Sequence, residues 1–165
     1  MKTLLLIRHA KSSWDNNTLK DFDRPLNDRG KKNAPEMASR LLKRKIDIEL
    51  FVSSPAKRAE TTAILFNKEF KKDEGEIVFE PRLYNADPED FYNVILKLDD
   101  KYKSIAVFSH NPGITDFANS LTEVRMENIP TCGIFGVGIE IEKWSEFIEG
   151  KKNFIFFDYP KSGVD

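Results

Sequence analysis

Three short runs of consecutive apolar residues constrain the fold of this chain most strongly. They cover Leu4–Ile7, Leu50–Val52 and Ile105–Phe108. A strand without polar residues must have both of its faces covered, which is typical of a parallel sheet packed between helices. The segments between the runs carry helical periodicity, and strands that alternate with helices indicate a parallel α/β sheet. We therefore expect a three-layer α/β/α sandwich with a mainly parallel central sheet.

The helical segments can be placed from their apolar spacing. The third helix is expected to run from Pro88 to Leu98. The residues predicted to face inward are Ala34, Ala38 and Leu41 in the first helix, and Ala59, Ala63, Phe66 and Phe70 in the second. In the third helix they are Phe91, Val94, Ile95 and Leu98. Ser54 is predicted to cap the second helix and Pro55 to open it. A fourth helix should follow Asn111, with Pro112 in its first position. Pro35 lies inside the first pattern, so that this helix either begins late or is kinked.

The last part of the chain predicts two further strands, at Ile134–Ile141 and Phe154–Tyr159. The segment between them is too short for a helical crossover, which parallel neighbours would need. We therefore expect an antiparallel hairpin at the C-terminal edge of the sheet.

Length and composition exclude several classes of protein. The 165 residues are consistent with one domain over 1–165. A net charge of −1 gives no bias toward nucleic acid or an anionic membrane, and no apolar run approaches the roughly 20 residues that cross a bilayer. The apolar stretch at the N-terminus is too short for a signal peptide. The single cysteine, Cys132, suits a reducing compartment, and we expect a cytoplasmic monomer.

Charged residues follow each of the three apolar runs. Arg8 and His9 follow the first run, Arg58 lies in the first turn of the helix after the second, and His110 follows the third. Ligands of open α/β sheets bind beyond the carboxyl ends of the strands, where these side chains would meet. Two arginines, two histidines and helix N-termini favour an anion site, and phosphate is the small anion that fits best.

Each of these features alone has a simpler structural explanation. Arg8 and His9 could form an ordinary loop edge, and Arg58 could be a surface arginine at a helix start. A lone histidine such as His110 is more often a core-edge residue with satisfied hydrogen bonds, and Lys11 is most simply a solvated charge. The coincidence at three strand ends favours the functional interpretation.

Three motifs in this order, "LIRHAKSSW", "SSPAKRAETTA" and "SHNPGI", resemble the histidine phosphatase superfamily. The segments "RHAKSSW", "DFDRPLNDRGKKNAPEMA" and "PRLYNADPEDF" are most similar to its SixA branch of short phosphohistidine phosphatases. The resemblance covers residues 2 to about 142 and implies a phosphoglycerate mutase-like fold. It also implies that His9 is transiently phosphorylated, while Arg8, Arg58 and His110 bind the phosphoryl group.

The chemistry of these residues is consistent with phosphoryl transfer. A neutral imidazole is a nucleophile, and arginine forks can meet the equatorial oxygens of the transferred group. Further substrate-binding candidates near the strand ends are Ser12, Lys11, Arg24 and Asn111. Lys11, Arg24 and the loop from Asp15 to Asp28 could dock a partner protein, or could be plain solvated surface. No residues have metal-ligand spacing, so we expect neither metal nor cofactor.

The sequence departs from the superfamily where an acid would protonate a leaving alkoxide. Asn85 occupies that place, and Asp87 is a nearby candidate for the general acid. The imidazole that leaves a phosphohistidine needs little protonation, because its conjugate acid has a pKa near 6.5. The missing acid therefore favours a phosphohistidine substrate, although loss of activity would produce the same gap. The chain also has no large insertion that could roof the pocket, so we expect an open site suited to a protein surface.

Several other functions remain to be compared with this one. A cysteine phosphatase is excluded because Gly138 stands where its arginine would follow Cys132, and the glycine-rich motifs of nucleotide-binding folds are absent. Within the superfamily, the main alternative is a broad phosphomonoesterase for small phosphate esters that uses Asp87 as its acid. From another class, the chain could be a catalytically weak phosphoprotein-binding module.

Overall fold

The computed structural model describes residues 1–161, in which strands and helices alternate along most of the chain. The elements of this part are β1 (Lys2–Arg8), α1 (Asp28–Lys43), β2 (Leu50–Ser53), α2 (Lys57–Glu69), β3 (Val78–Phe79), α3 (Pro88–Ile95), β4 (Ser104–Ser109), α4 (Gly113–Leu121), β5 (Ile134–Ile139) and β6 (Lys152–Asp158). Short 3₁₀ helices, one of them at Asp21–Asp23, lie in the connections.

The strands form one sheet in the order β3-β2-β4-β1-β5-β6. β1 to β4 are parallel to their neighbours among themselves, whereas β5 runs antiparallel to β1, and β6 antiparallel to β5. The predicted parallel sheet with an antiparallel C-terminal edge is confirmed. β1 and β4 are adjacent, with Arg8 paired to Ser109 at the end of the ladder. His9 and His110 therefore leave the sheet side by side.

Helices cover both faces of the sheet and complete the three predicted layers. Successive residues of β1 point to opposite layers, because side chains alternate along a strand. The layer of α1 and α2 buries Leu5, Ile7, Ala34, Met37, Ala38, Leu41, Ala63, Phe66 and Phe70. The layer of α3 and α4 buries Leu4, Leu6, Phe91, Val94, Ile95, Phe117, Ala118 and Leu121. This covering of both faces explains why the central strands lack polar residues.

α1 does not begin late. It starts at Asp28 and is capped by Asn27, whose side chain accepts a hydrogen bond from the backbone N–H of Gly30 at 2.9 Å. Pro35 lies in the interior of the helix. The beginning of α1 packs on the loop after β1: a Cβ on Gly30 would lie 2.2 Å from the carbonyl oxygen of Lys11. Glycine at this position lets the helix fix the backbone beside His9.

The starts of α2 and α4 differ from their predicted positions. α2 is preceded by Ala56, not by Ser54, and its first residue is Lys57, so Pro55 lies before the helix. Pro112 likewise precedes α4, which begins at Gly113, and the Asn111–Pro112 peptide bond is cis. Both prolines end the loop and do not open the helix.

Three predicted elements have different bounds in the structure, and one strand was not predicted. α3 ends at Ile95, β5 ends at Ile139, and β6 spans Lys152–Asp158. The short edge strand β3 was not predicted, because its two residues, Val78 and Phe79, are exposed and form no apolar run. None of the helices within residues 1–161 has the length and apolarity to cross a membrane.

Candidate active site

A pocket of about 390 Å³ opens at the carboxyl ends of β1, β2 and β4. The predicted site residues that line it are Arg8, His9, Lys11, Ser12, Arg24, Arg58, His110 and Asn111. Asp21, Trp14, Asn85 and Thr131 complete the lining. Eight of the nine predicted site residues are thus together at one end of the sheet, and Asp87 is not.

His9 is fixed from both its backbone and its ring. Its backbone N–H donates to the carbonyl of Ser109 at 3.1 Å, and its carbonyl accepts from the N–H of Cys132 at 3.0 Å. Nδ1 lies 2.8 Å from the carbonyl oxygen of Ala10. Since a carbonyl can only accept, Nδ1 carries the proton, and Nε2 keeps its lone pair.

The imidazole of His9 is buried, with 6% of the residue exposed. Burial lowers the pKa of His9 to about 2, against a smaller opposing effect of the hydrogen bond to Ala10, and the charges of His110, Arg58 and Arg8 lower it further. The ring is therefore neutral at physiological pH. A neutral ring that keeps the lone pair on Nε2 can act as a nucleophile.

His110 lies beside His9, with ring centroids 5.1 Å apart. Nε2 of His110 is 2.8 Å from Oγ of Ser54, which also accepts from the N–H of Ala56 at 3.2 Å. The Ser54 hydroxyl can thus donate its own proton to Nε2. In that tautomer the proton of His110 is on Nδ1, which has no hydrogen-bond partner in the described residues. Ser54 positions a ring, where the sequence predicted a helix cap.

Burial and the charge of Arg58 lower the pKa of His110 to about 3. The sequence left open whether His110 would be protonated or a neutral donor. The low pKa makes His110 a neutral hydrogen-bond donor in this structure.

The two arginines enter the pocket from different elements. Arg8 ends β1 and donates to the carbonyl of Ile129 at 2.9 Å, while its Nε is buried without a partner in residues 1–161. Burial and the charge of Arg58 lower the pKa of Arg8. Arg58 projects from the first turn of α2, and its Nε lies 3.4 Å from Nε2 of His9. Both guanidinium groups are held where an anion bound to His9 would meet them.

The weaker candidates are also in the pocket wall, but several of their polar groups are engaged. Nη1 of Arg24 donates to Oγ of Ser12, and the guanidinium stacks on the ring of Trp14 at 3.7 Å from its centroid. Asn111 donates to the carbonyl of Ile129 at 3.0 Å and to the side chain of Asn128. Lys11 is exposed at the rim.

Asp87 has a structural role that removes it from the pocket. Its Oδ1 accepts from the N–H of Asp90 at 3.0 Å, and Asp90 accepts in return from the N–H of Asp87 at 3.0 Å. This reciprocal pair is a capping box at the start of α3. Asn85, with a φ of 57°, lines the pocket in its place. The structure therefore gives no support to Asp87 as the general acid.

Asp21 and Tyr84 were missed. Asp21 lines the pocket and forms an ion pair with Arg58 at 3.0 Å, and the hydroxyl of Tyr84 donates to the Asp21 carboxylate at 2.7 Å. The loop that contains Asp21 also holds Asp15 and Asp23, and nothing in their local sequence separates a pocket carboxylate from a solvated one. The only feature of the sequence that pointed to Asp21 was its position three residues before Arg24, in a segment already considered for the site.

Metal ligands do not cluster in the described part of the chain. Within residues 1–161, no three His, Cys, Asp or Glu side chains are close enough to hold one ion together. Cys132 is buried, and burial raises the pKa of its thiol. A buried, protonated thiol is unsuited to nucleophilic chemistry.

The family can now be assigned from the segment that carries β1 and α2. The family model of the histidine phosphatase superfamily (branch 1) matches residues 4–94, which include Arg8, His9 and Arg58. The chain belongs to this superfamily. A chloroplastic protein of Arabidopsis thaliana with no assigned activity is 30% identical in an alignment of 141 positions, which covers 79% of this chain and 63% of that protein. The match thus spans less than two thirds of the plant relative.

Solved structures of the superfamily share the fold. A protein from Agrobacterium tumefaciens named as a phosphohistidine phosphatase SixA has a TM-score of 0.80 at 24% identity, over 96% of this chain and 98% of its own. A protein histidine phosphatase SixA in complex with tungstate has a TM-score of 0.80 at 22% identity, over 96% and 97%. A mycobacterial glucosyl-3-phosphoglycerate phosphatase bound to VO3 reaches 0.73 at 13% identity, over 94% and 98%. These similarities confirm the predicted phosphoglycerate mutase-like fold.

Proposed function

We propose that this protein is a phosphatase that forms a phosphohistidine on His9 and acts on phosphohistidine in another protein. The observation that carries the proposal is the state of His9. Its ring is neutral, its Nδ1 is fixed by the carbonyl of Ala10, and its Nε2 lies beside the guanidinium of Arg58. This arrangement presents a lone pair and a cation to the same incoming phosphoryl group.

In the first step, Nε2 of His9 attacks phosphorus in line with the leaving group, and the bond from phosphorus to the leaving nitrogen breaks. Negative charge on the three equatorial oxygens is stabilised by Arg8, Arg58 and the neutral N–H of His110. In the second step, water attacks phosphorus and the bond from phosphorus to Nε2 breaks. The phosphate leaves with both protons of the water, and His9 returns to its neutral form with the proton on Nδ1. The hydrogen bond to Ala10 keeps the ring in the same orientation through both steps.

The leaving group is the reason to favour phosphohistidine over an alcohol phosphate. Asn85 lines the pocket where a proton donor would be needed, and Asp87 is engaged as the cap of α3. An alkoxide is a poor leaving group without a proton, whereas an imidazole departs readily near neutral pH. The residues of this pocket therefore suit cleavage of a phosphorus–nitrogen bond.

Small phosphate esters are the second candidate substrate class. The fold is shared with the mycobacterial enzyme named for glucosyl-3-phosphoglycerate, so this architecture accommodates small substrates elsewhere. A pocket of about 390 Å³ is large enough for a phosphorylated small molecule. This candidate requires a source for the leaving-group proton other than Asp87.

A substrate comparison tests the proposal. The purified protein is given a phosphohistidine-containing protein, free phosphoramidate, an aryl phosphate and an alkyl phosphate, and phosphate release is measured for each. We expect turnover of the two nitrogen-linked substrates, weaker turnover of the aryl ester and little of the alkyl ester. Efficient turnover of the alkyl ester would favour the phosphomonoesterase. Tight binding of the phosphoprotein with no turnover of any substrate would favour the binding module.

A further inference from the structure

Asp21 is the one carboxylate that lines the pocket within the described residues 1–161, and it contacts both Arg58 and Arg24. Its Oδ2 accepts from Nη2 of Arg58 at 3.0 Å and from the Tyr84 hydroxyl at 2.7 Å, and its Oδ1 accepts from Nη2 of Arg24 at 3.0 Å. Its backbone carbonyl accepts from Nη1 of Arg58 at 2.7 Å. One residue thus binds two cations of a phosphate pocket.

The contacts with Asp21 leave a specific part of Arg58 for the substrate. Nη1 and Nη2 both donate to Asp21, while Nε–H faces Nε2 of His9 at 3.4 Å. The planar guanidinium is therefore anchored at its end and directs its Nε–H toward the attacking atom. A phosphoryl oxygen carried on Nε2 would approach this same N–H, and an anchored donor needs no reorganisation to meet it.

Asp21 also has few alternatives to this role. Burial alone would raise its pKa, but the hydrogen bonds from Tyr84, Arg24 and Arg58 outweigh that effect and hold the pKa of Asp21 well below its usual range. The carboxylate stays ionised and carries no proton to give, so it is unsuited to act as the missing general acid. Its oxygens are already occupied by three donors from separate parts of the chain.

We propose that Asp21 is a positioning residue, which anchors the guanidinium of Arg58 so that Nε–H faces the phosphoryl group on His9. The inference rests on the proposed function, because it assigns Asp21 a role in the same site. Asp21 acts through Arg58 and does not touch the reacting atoms. Its contact with Arg58 ties the loop before α1 to the start of α2, and its contact with Arg24 lies within that loop.

The test compares Asp21→Asn with Asp23→Asn. Asp23 belongs to the same 3₁₀ helix, is exposed, and makes no side-chain hydrogen bond or ion pair within residues 1–161. We expect Asp21→Asn to lower kcat/KM for phosphoramidate about tenfold, since small displacements of a catalytic donor are costly. Asp23→Asn should match the unmodified protein. Thermal unfolding of each variant checks that the fold is retained. We expect it to be retained, because the Asp21 side chain is half exposed.

A double-mutant cycle identifies the route through which Asp21 acts. In an Arg58→Ala background, Asp21→Asn should change kcat/KM by less than about twofold, because the residue that it positions is gone. An unchanged kcat/KM for Asp21→Asn alone, or an equal loss with and without Arg58, would overturn the proposal.

Tungstate binding separates positioning from charge and does not depend on turnover. Removing a negative charge from a pocket should by itself tighten the binding of an anion. Loss of the anchored Arg58 should weaken it instead, and we expect the Kd for tungstate to rise about tenfold in Asp21→Asn. A tighter or unchanged Kd would contradict the proposal. If the unmodified protein hydrolyses nothing, the proposed function fails, while this titration still decides the role of Asp21.

Discussion

The rings of His9 and His110 lie 5.1 Å apart and are tilted by 50°, although the two residues come from opposite halves of the chain. Both rings are buried among arginines, and burial is the main cause that lowers both pKa values, to about 2 and about 3. The protein thus keeps two uncharged imidazoles inside a strongly cationic pocket. Their neutrality matters for stability as well as for chemistry.

Stability should fall in acid because of these two histidines. In the unfolded chain each has a pKa near 6.5, so below that pH the unfolded state binds protons that the folded state does not. The free energy of unfolding should therefore be independent of these groups above about pH 7.5 and decrease below about pH 6.5. The slope is up to about 1.4 kcal/mol per pH unit for each histidine. Urea titrations between pH 4 and 8 measure it.

His110→Gln serves as the control for this pH dependence. Removing one of the two titrating groups should reduce the slope between pH 6 and 4 by about 1.4 kcal/mol per pH unit. An identical slope in the variant would show that other groups cause the acid sensitivity.

Rapid acid-free quenching during turnover should trap a phosphoryl group on His9. The adduct should be labile to acid and stable to base, because it is a phosphoramidate and not an ester. His9→Ala should lose both the adduct and turnover, since Nε2 of the other imidazole, His110, is engaged by the Ser54 hydroxyl. Mass spectrometry of peptides prepared in base locates the site. An active His9→Ala variant would refute the assignment of the nucleophile.

The capping role of Asp87 predicts that Asp87→Asn is nearly silent. Asparagine caps a helix about as well as aspartate, so the melting temperature should be nearly unchanged. The rate of phosphohistidine cleavage should remain within about twofold of that of the unmodified protein. Initial rates on phosphohistidine and aryl phosphate measure the effect. A steep loss on the aryl ester alone would make Asp87 the proton donor for alcohol leaving groups.

Arg24 lies in the pocket wall, which favours a role in phosphoryl binding over the docking of a partner protein. Its side chain is only 11% exposed and bonds to Ser12 and Asp21. Arg24→Ala should therefore reduce kcat/KM by about 10²-fold for phosphoprotein and phosphoramidate alike, as expected for loss of a fixed donor. Lys20→Ala, an exposed cation of the same loop, is the matched control. A loss confined to the phosphoprotein would restore the docking interpretation.

The sequence predicted the fold well because its evidence is local and repeated. A continuous apolar run such as Leu4–Ile7 has few structural solutions, and the sheet is buried on both faces as that run requires. The same logic placed His9 and His110 together at the carboxyl ends of the strands, although their strands were not predicted to be neighbours. The position of Arg58 in the first turn of α2 followed from a helix start, although the capping residue was misidentified.

The remaining part of the site could not be predicted, because it depends on contacts between distant segments. Asp21 and Tyr84 meet only in the folded chain, and each alone resembles an ordinary surface residue. The place of Asp87 could not be predicted either: it lies two residues after Asn85, but only the structure shows that it caps the start of α3. Cytoplasmic location and a monomeric state stay predictions.

The pairing of Arg8 with Ser109, which ends the ladder between β1 and β4, can form only after β4 has been synthesised. β1 emerges first, yet it gains its neighbour only after most of the chain has been made, because β4 comes late in the sequence. Until β1 and β4 pair across this long separation in the sequence, His9 lacks the burial that keeps its ring uncharged. Nascent chains should therefore lack phosphatase activity, and the onset of hydrolysis would mark the completion of the sheet.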